Sequence, residues 1–357
     1  MPSPDLGTLG EDHFRVLDRR LELGQRSSWN FDTSWKSFRF HSCSTTMYKK
    51  FYGLTRNPFE VTPDPFFFYS TPDHSEALCS LGYGVLRRKG FVVVTGEAGT
   101  GKTLLARCIM QVLSKNKVAS AFVYNPTISI LEFLVHVLND FGLTPTQRGS
   151  KGELLSCLNN YLVKRSRQNL ITALVVDEAQ LLSAELLEEI RLLTNLETTE
   201  HKLLQIVLIG QPEFQQKLDS HQLRQLKQRV ALRCSLKPLE PAQLKGYVHR
   251  RLERAGANSH AGNIFLDETI SLLHFFSDGI PRLVNTLCEN SLLWGFGHRR
   301  RHITSEIVHE VATDLHLDRF SYGTVHEGRR NRILIEPSSE LFAETVKREV
   351  EMQIPNI

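Results

Sequence analysis

Apolar residues recur along this chain with two alternating spacings. Short runs rich in β-branched residues, Phe91–Thr95, Ala119–Tyr124, Thr172–Val176, Leu203–Ile209 and Val230–Leu236, predict strands. Between them lie stretches with helical spacing, such as Leu104–Leu113 with apolar residues at 104, 105, 108, 109 and 112. The same spacing predicts helices over 72–88, 129–142, 151–168 (leucines at 154, 155, 158 and 162), 183–197 and 213–228. Strands that alternate with helices imply an α/β fold, a parallel sheet covered on both faces. After Pro238 and Pro241 the strand pattern stops. Residues 242–255, 267–277, 282–296 and 304–315 read as helices and predict a smaller all-helical unit.

The flanks differ in texture. Residues 1–46 are polar, mixed in charge and without pattern, and are expected to be a disordered extension. Met47 opens a new texture, and a translation start there would explain the change. From 51 to 70 the chain is dense in proline and phenylalanine, with Asn57-Pro58-Phe59 and Pro63-Asp64-Pro65-Phe66-Phe67-Phe68. Prolines exclude a helix and the aromatics demand burial, so an ordered loop packed on the core is expected. Beyond about 319 the chain is charged and irregular, with one weak helical pattern at 338–351. The expected organisation is an extension at 1–46, a sheet domain at 47–238, a helical lid at 239–318 and a tail at 319–357.

Composition narrows the class. The chain has 357 residues, 41% of them hydrophobic and 23% charged, which suits two globular domains with tails. The net charge of +4 permits an anionic partner without arguing for one. Six cysteines lie scattered without C-x-x-C pairs, which favours buried thiols over disulfides or a zinc site. No apolar run approaches 18 residues and the N-terminus lacks a signal-peptide core, so a cytoplasmic protein is expected, with any membrane association made through a partner.

The chemistry concentrates at Gly96-Glu97-Ala98-Gly99-Thr100-Gly101-Lys102-Thr103, a full G-x-x-x-x-G-K-[ST] match placed after a strand and before a helix. Glycines let backbone wrap a phosphate closely, and successive N–H groups with the positive helix end then face the anion. Lys102 would reach the β and γ phosphates of ATP, and the Thr103 hydroxyl would ligate Mg²⁺. The second motif is the strand Ala173–Val176 ending in Asp177-Glu178. An acid at a strand's carboxyl end lies where open α/β sheets bind ligands. Asp177 would hold Mg²⁺ directly or through water, and Glu178 would polarise the attacking water. The bland reading is an acidic cap on the next helix.

Gln211 ends another strand and would bond the γ phosphate or the attacking water; otherwise it is a turn residue before Pro212. Arg224 and Arg229 flank the end of the sheet region. Either could face the γ phosphate of a neighbouring subunit, Arg229 the better placed, against the plain reading of a solvated basic helix face. Pro281 suits the first turn of a helix, which places Arg282 at a helix start, able to swing toward the phosphates.

Together these residues resemble the AAA+ ATPases, and most of all the bacterial branch of general secretion pathway protein A and the ATPases of exopolysaccharide and exosortase loci. The carrying residues are Met47-Tyr48-x-x-Phe51-Tyr52-Gly53-Leu54, Asn57-Pro58-Phe59, Pro63-Asp64-Pro65, the glycine-rich loop, Val176-Asp177-Glu178-Ala179-Gln180, Gly210-Gln211-Pro212-Glu213 and Gly279-Ile280-Pro281-Arg282. The resemblance spans about 47–318. It implies a P-loop NTPase sheet domain followed by a small helical lid. It makes Asp177 and Glu178 the Walker B pair, Gln211 sensor 1, Arg229 the arginine finger and Arg282 the sensor 2 arginine.

The resemblance also implies subunits assembled with ATP at their interfaces and the segment Phe51–Phe59 near the adenine. Secretion-pathway relatives often continue into a membrane span and a peptidoglycan-binding region; this sequence has neither, which favours the shorter relatives. The implied function is ATP hydrolysis that drives an envelope secretion or polysaccharide export system through a membrane-associated partner protein. The alternatives are an ATP-dependent DNA-binding regulator, supported by the basic run His298-Arg299-Arg300-Arg301-His302, and a nucleotide-gated switch with little turnover.

Overall fold

The computed structural model describes residues 47–124, 127–144, 149–257 and 261–317. The expectations for 1–46 and for 319–357, including the weak helix at 338–351, lie outside the described residues. Five strands, β1 (Phe91–Gly96), β2 (Ala119–Val123), β3 (Thr172–Val176), β4 (Gln205–Gly210) and β5 (Val230–Leu236), form one parallel sheet in the order β2-β3-β4-β1-β5. The first described helix is α1 (Met47–Tyr52); α2 (Pro72–Leu86) leads into β1, and α3 (Lys102–Lys115) leaves it. Then come α4 (Ile130–Asp140), α5 (Lys151–Arg167) and α6 (Ala184–Leu193).

Side-chain alternation decides which face each strand residue serves. Phe91, Val93, Ala121, Val123, Leu174, Val176, Ile206 and Leu208 join the core beneath α4, α5 and α6. Val92, Val94, Phe122, Ala173, Val175, Val207 and Ile209 join the opposite core with α2 and α3. The prediction of a sheet covered on both faces is met. The outer edge at β2 is closed by side chains of α4: Asp140 accepts the Phe122 N–H at 2.8 Å, and the His136 ring bonds the Phe122 carbonyl at 3.3 Å. Blocking those groups removes a template for strand addition.

Three sequence expectations are corrected. The helix expected over 213–228 is broken into α7 (Pro212–Leu218), a 3₁₀ turn at His221–Leu223 and α8 (Arg224–Arg229). Ser220 has extended backbone there (φ −65°, ψ 150°), which turns Leu223 into the core. The helix expected to reach 197 ends at Leu193: the Thr194 hydroxyl bonds the Arg191 carbonyl, and residues 197–202 form a tight antiparallel turn. β4 begins at Gln205 rather than Leu203; both leucines before it are buried ahead of the strand.

Helices α9 (Pro241–Leu252), α10 (Asp267–Ser277), α11 (Pro281–Gly297) and α12 (Ser305–Asp314) follow β5 and share a separate apolar core. Tyr48, Tyr52, Leu54, Phe59 and Phe67 also belong to that core, although they precede the sheet in sequence. The Tyr48 hydroxyl donates to Glu289 on α11 at 2.7 Å, and the Tyr52 hydroxyl donates to the Arg300 carbonyl at 2.9 Å. The Pro/Phe-rich segment is thus ordered and divided between two cores, because Phe68 packs with α2 and α3. Phe66 departs from the expected burial; it is exposed, and the guanidinium groups of Arg56 and Arg254 each lie over its ring.

Candidate nucleotide site

Residues 97–101 join β1 to α3, and Gly99 (φ +86°) and Gly101 (φ +99°) take left-handed backbone that a side chain would strain. Gly101 caps α3 without any side-chain hydrogen bond, so the first helical N–H groups are left for an anion. Thr100 is fully buried and turns its hydroxyl inward onto the Glu97 carbonyl at 2.8 Å. Lys102 is also buried, and its ammonium donates to the carbonyls of Gly96 (2.8 Å) and Glu97 (2.9 Å). Burial pulls its pKa down, while the carboxylates of Glu178, Asp177 and Glu97 oppose that effect.

The acids come from the ends of neighbouring strands. The Asp177 N–H extends the β2–β3 ladder to the Val123 carbonyl at 2.9 Å, which fixes where its carboxylate stands. Asp177 Oδ2 accepts the Thr103 hydroxyl at 2.7 Å, and Oδ1 accepts the Glu178 N–H at 2.9 Å. Burial pushes the Asp177 carboxyl upward in pKa; those two hydrogen bonds favour its charged form. Glu178 sits in left-handed backbone (φ 52°, ψ 40°), which is uncommon for a residue with a Cβ and costs on the order of 1 kcal/mol. That turn brings its carboxylate to the amides of Gln180 and Gln211, the latter at 3.4 Å.

Gln180 stands in the sequence motif without a role of its own. Its Oε1 accepts the Gln211 N–H at 3.0 Å while its amide donates to Glu178, so it ties the end of β3 to the end of β4. No periodicity marks such a residue; only the fold brings it there.

Arg282 starts α11 and lies against the loop. Its backbone N–H donates to the Gly99 carbonyl at 3.2 Å, and a Cβ on Gly99 would meet Arg282 Cβ and Ile280 Cγ2, each at 2.9 Å. Lys102, Thr103, Asp177, Glu178, Gln211 and Arg282 are therefore gathered at one end of the sheet. Arg224 is exposed on α8. Arg229 precedes Val230, which pairs with Phe91, whereas Leu236 pairs with Gly96. It consequently stands at the other end of the sheet, about 20 Å from the loop at ~3.3 Å per strand residue. Its guanidinium caps the end of α6, bonding the Arg191 carbonyl (3.0 Å), Asn195 Oδ1 (2.8 Å) and the Thr194 hydroxyl.

The donor set at Thr103 and Asp177, a hydroxyl and a carboxylate in contact, consists of hard oxygens and fits Mg²⁺. Elsewhere, no group of His, Cys, Asp and Glu among the described residues is arranged to hold a metal ion. Among the described residues no helix is long and apolar enough to cross a membrane.

The AAA domain family model matches residues 86–218. General secretion pathway protein A of Aeromonas hydrophila is 40% identical over 250 residues, which is 70% of this chain and 45% of that protein. The chain thus spans under half the length of that curated relative. Among solved structures, the Aeropyrum pernix ORC2 protein in ADPNP–ADP complexes aligns with a TM-score of 0.55 at 16% identity, covering 71% of this chain and 72% of that one. Cdc6p of Pyrobaculum aerophilum aligns with a TM-score of 0.56 at 18% identity, over 74% and 70% of the two chains. At such identities the structural likeness shows the fold. The chain therefore has the P-loop sheet fold, matches the AAA domain family over residues 86–218, and is similar to general secretion pathway protein A.

Proposed function

We propose that this chain binds ATP in the cradle of residues 96–103 and hydrolyses it to ADP and phosphate. The observation that carries this reading is the line of contacts Thr103–Asp177, Lys102 beneath it, and Glu178–Gln211 beside it, across the ends of three adjacent strands. Loop amides and Lys102 hold the phosphates. Thr103 and Asp177 would hold Mg²⁺, which when bound neutralises charge on the β and γ phosphates. Glu178 takes the proton of the attacking water, and Gln211 orients that water or the γ phosphate. Arg282 contacts the phosphates from the helical unit at 239–318, which acts as a lid on the sheet domain at 47–238. Arg229 serves the site of a neighbouring subunit in trans, exchanging its present acceptors on α6 for phosphate oxygens.

Resemblance to a secretion-pathway protein supports a cytoplasmic ATPase whose cycle drives assembly or remodelling of an envelope export system. Turnover tests the chemistry. Glu178→Gln should keep ATP affinity and lose hydrolysis by about 10² or more. Unchanged turnover in that variant refutes the assignment, and a wild type that binds but never hydrolyses leaves only a nucleotide-gated switch. A second reading, DNA binding, is favoured by one feature: His298–His302 is exposed throughout. Salt-sensitive duplex affinity would support it, and no affinity at moderate ionic strength removes it.

A further inference from the structure

A buried histidine lies directly under the glycine-rich loop, on a helix that the proposed reaction does not use. Thr71 caps α2, with Pro72 at the first helical position and His74 on the same turn. The Thr71 hydroxyl is 2.7 Å from His74 Nδ1 and also accepts the His74 backbone N–H at 3.3 Å. Both side chains are buried. Phe68 meets the imidazole edge-on, with ring centroids 5.6 Å apart, and holds its plane from the side.

The other ring nitrogen faces the loop. A Cβ built on Gly101 would lie 3.4 Å from His74 Nε2. The ring bonds the backbone of Thr100 in the sense that favours a protonated nitrogen, which a carbonyl acceptor does and an amide donor does not. With Thr71 donating to Nδ1, Nε2 carries the proton and donates to the Thr100 carbonyl. Burial is the main influence on the ring and favours its neutral form; the bond to the Thr100 backbone and the Asp73 charge oppose this less strongly.

Peptide planarity makes this bond consequential. In a trans peptide the C=O and the following N–H point in opposite directions, and no cis bond occurs among the described residues. A Thr100 carbonyl drawn down onto His74 therefore aims the Gly101 N–H up, out of the protein and into the concavity between β1 and α3. Gly101 can comply because its φ of +99° carries no Cβ penalty.

We infer that His74 is a positioning residue for nucleotide binding: as the neutral Nε2–H tautomer it pins the Thr100 carbonyl and so presents the Gly101 amide to phosphate. The inference rests on the nucleotide reading above. A residue that merely fills space under the loop could be replaced by any side chain of similar size. A positioning donor could be replaced only by one that keeps an N–H near Nε2, which the glutamine amide does and methionine does not.

The test measures affinity for a fluorescent ADP analogue and for ATP with Mg²⁺, using the full chain as wild type, His74→Gln, His74→Met and Lys102→Ala. His74→Met should lose about tenfold in affinity or more, and His74→Gln should stay within about threefold of wild type. Equal affinities for the Gln and Met variants, whether retained or lost, overturn the inference. Wild-type binding that Lys102→Ala abolishes, alongside that equality, leaves the nucleotide reading standing while this one falls. A folded wild type without nucleotide affinity fells both. Should His74→Met not fold, ¹⁵N NMR of the wild-type imidazole decides: a neutral Nε2–H ring between pH 6 and 8 is expected, and an Nδ1–H or charged ring overturns the proposal.

Discussion

Gly99→Ala should separate the helical unit from the loop it rests on. Gly99 has φ +86°, and the added methyl would stand 2.9 Å from both Arg282 Cβ and Ile280 Cγ2. Left-handed backbone costs an alanine about 1–2 kcal/mol. Relief of the two contacts requires the start of α11 to retreat, which lengthens the Arg282 N–H to Gly99 carbonyl bond from 3.2 Å and forfeits about 1 kcal/mol. The sum is roughly 2–3 kcal/mol, a large share of a typical domain's stability. Urea unfolding of Gly99→Ala, Ile280→Ala and the double variant measures it. Removing Ile280 Cγ2 relieves one of the two contacts, so Ile280→Ala should cost less by about 1 kcal/mol in the Gly99→Ala background than in wild type. A Gly99→Ala protein within about 0.5 kcal/mol of wild type, with additive effects in the double variant, would refute the claimed close approach.

Three more expectations follow from other contacts. Arg229→Ala removes three hydrogen bonds to α6, so the nucleotide-free protein should lose about 1–3 kcal/mol in denaturant titration, and unchanged stability would show that those bonds contribute nothing. Phe59→Ala empties a fully buried ring site against Phe265 (centroids 6.0 Å apart) and should cost about 3–5 kcal/mol; a loss under 1 kcal/mol would contradict that packing. Glu289 has its carboxyl pKa raised chiefly by burial, with Oε2 lacking any partner and Glu60 adding repulsion, while the Tyr48 hydroxyl opposes both. A carboxyl with a raised folded pKa lowers stability as pH climbs above its unfolded value of 4.5, where the folded state retains the proton longer. Glu289→Gln should therefore melt higher than wild type at pH 7, with the gain vanishing below about pH 4.5; a pH-independent difference would contradict the assignment.

What could be read from the sequence was whatever is local. β3 is fully buried and its five residues Thr172–Val176 announce it, while Gly96–Thr103 declares its geometry through spacing alone. Helix breaks set by one extended residue were hidden: nothing in Leu218–Arg224 outweighs its apolar spacing, yet Ser220 divides it. Side chains that act through distant partners were equally hidden. Gln180 and His74 acquire meaning only once β4 and the loop arrive beside them, over separations of 31 residues for Gln180 with Gln211 and of some twenty-six positions for His74 with Thr100. Arg282 was expected near the phosphates, and its backbone does touch the loop; that Gly99 makes room for it depends on a contact no spacing encodes.

The aromatic residues of α1 have a bearing on how the protein is made. Tyr48 meets Glu289 across 241 positions, and Tyr52 meets Arg300 across 248. On the ribosome, α1 emerges long before α11 exists to shelter it. Its greasy surface must wait, in water or under a chaperone, while the entire sheet is synthesised. A late start codon or proteolysis within this opening stretch would consequently harm the most distal helices first, and the central strands would survive it.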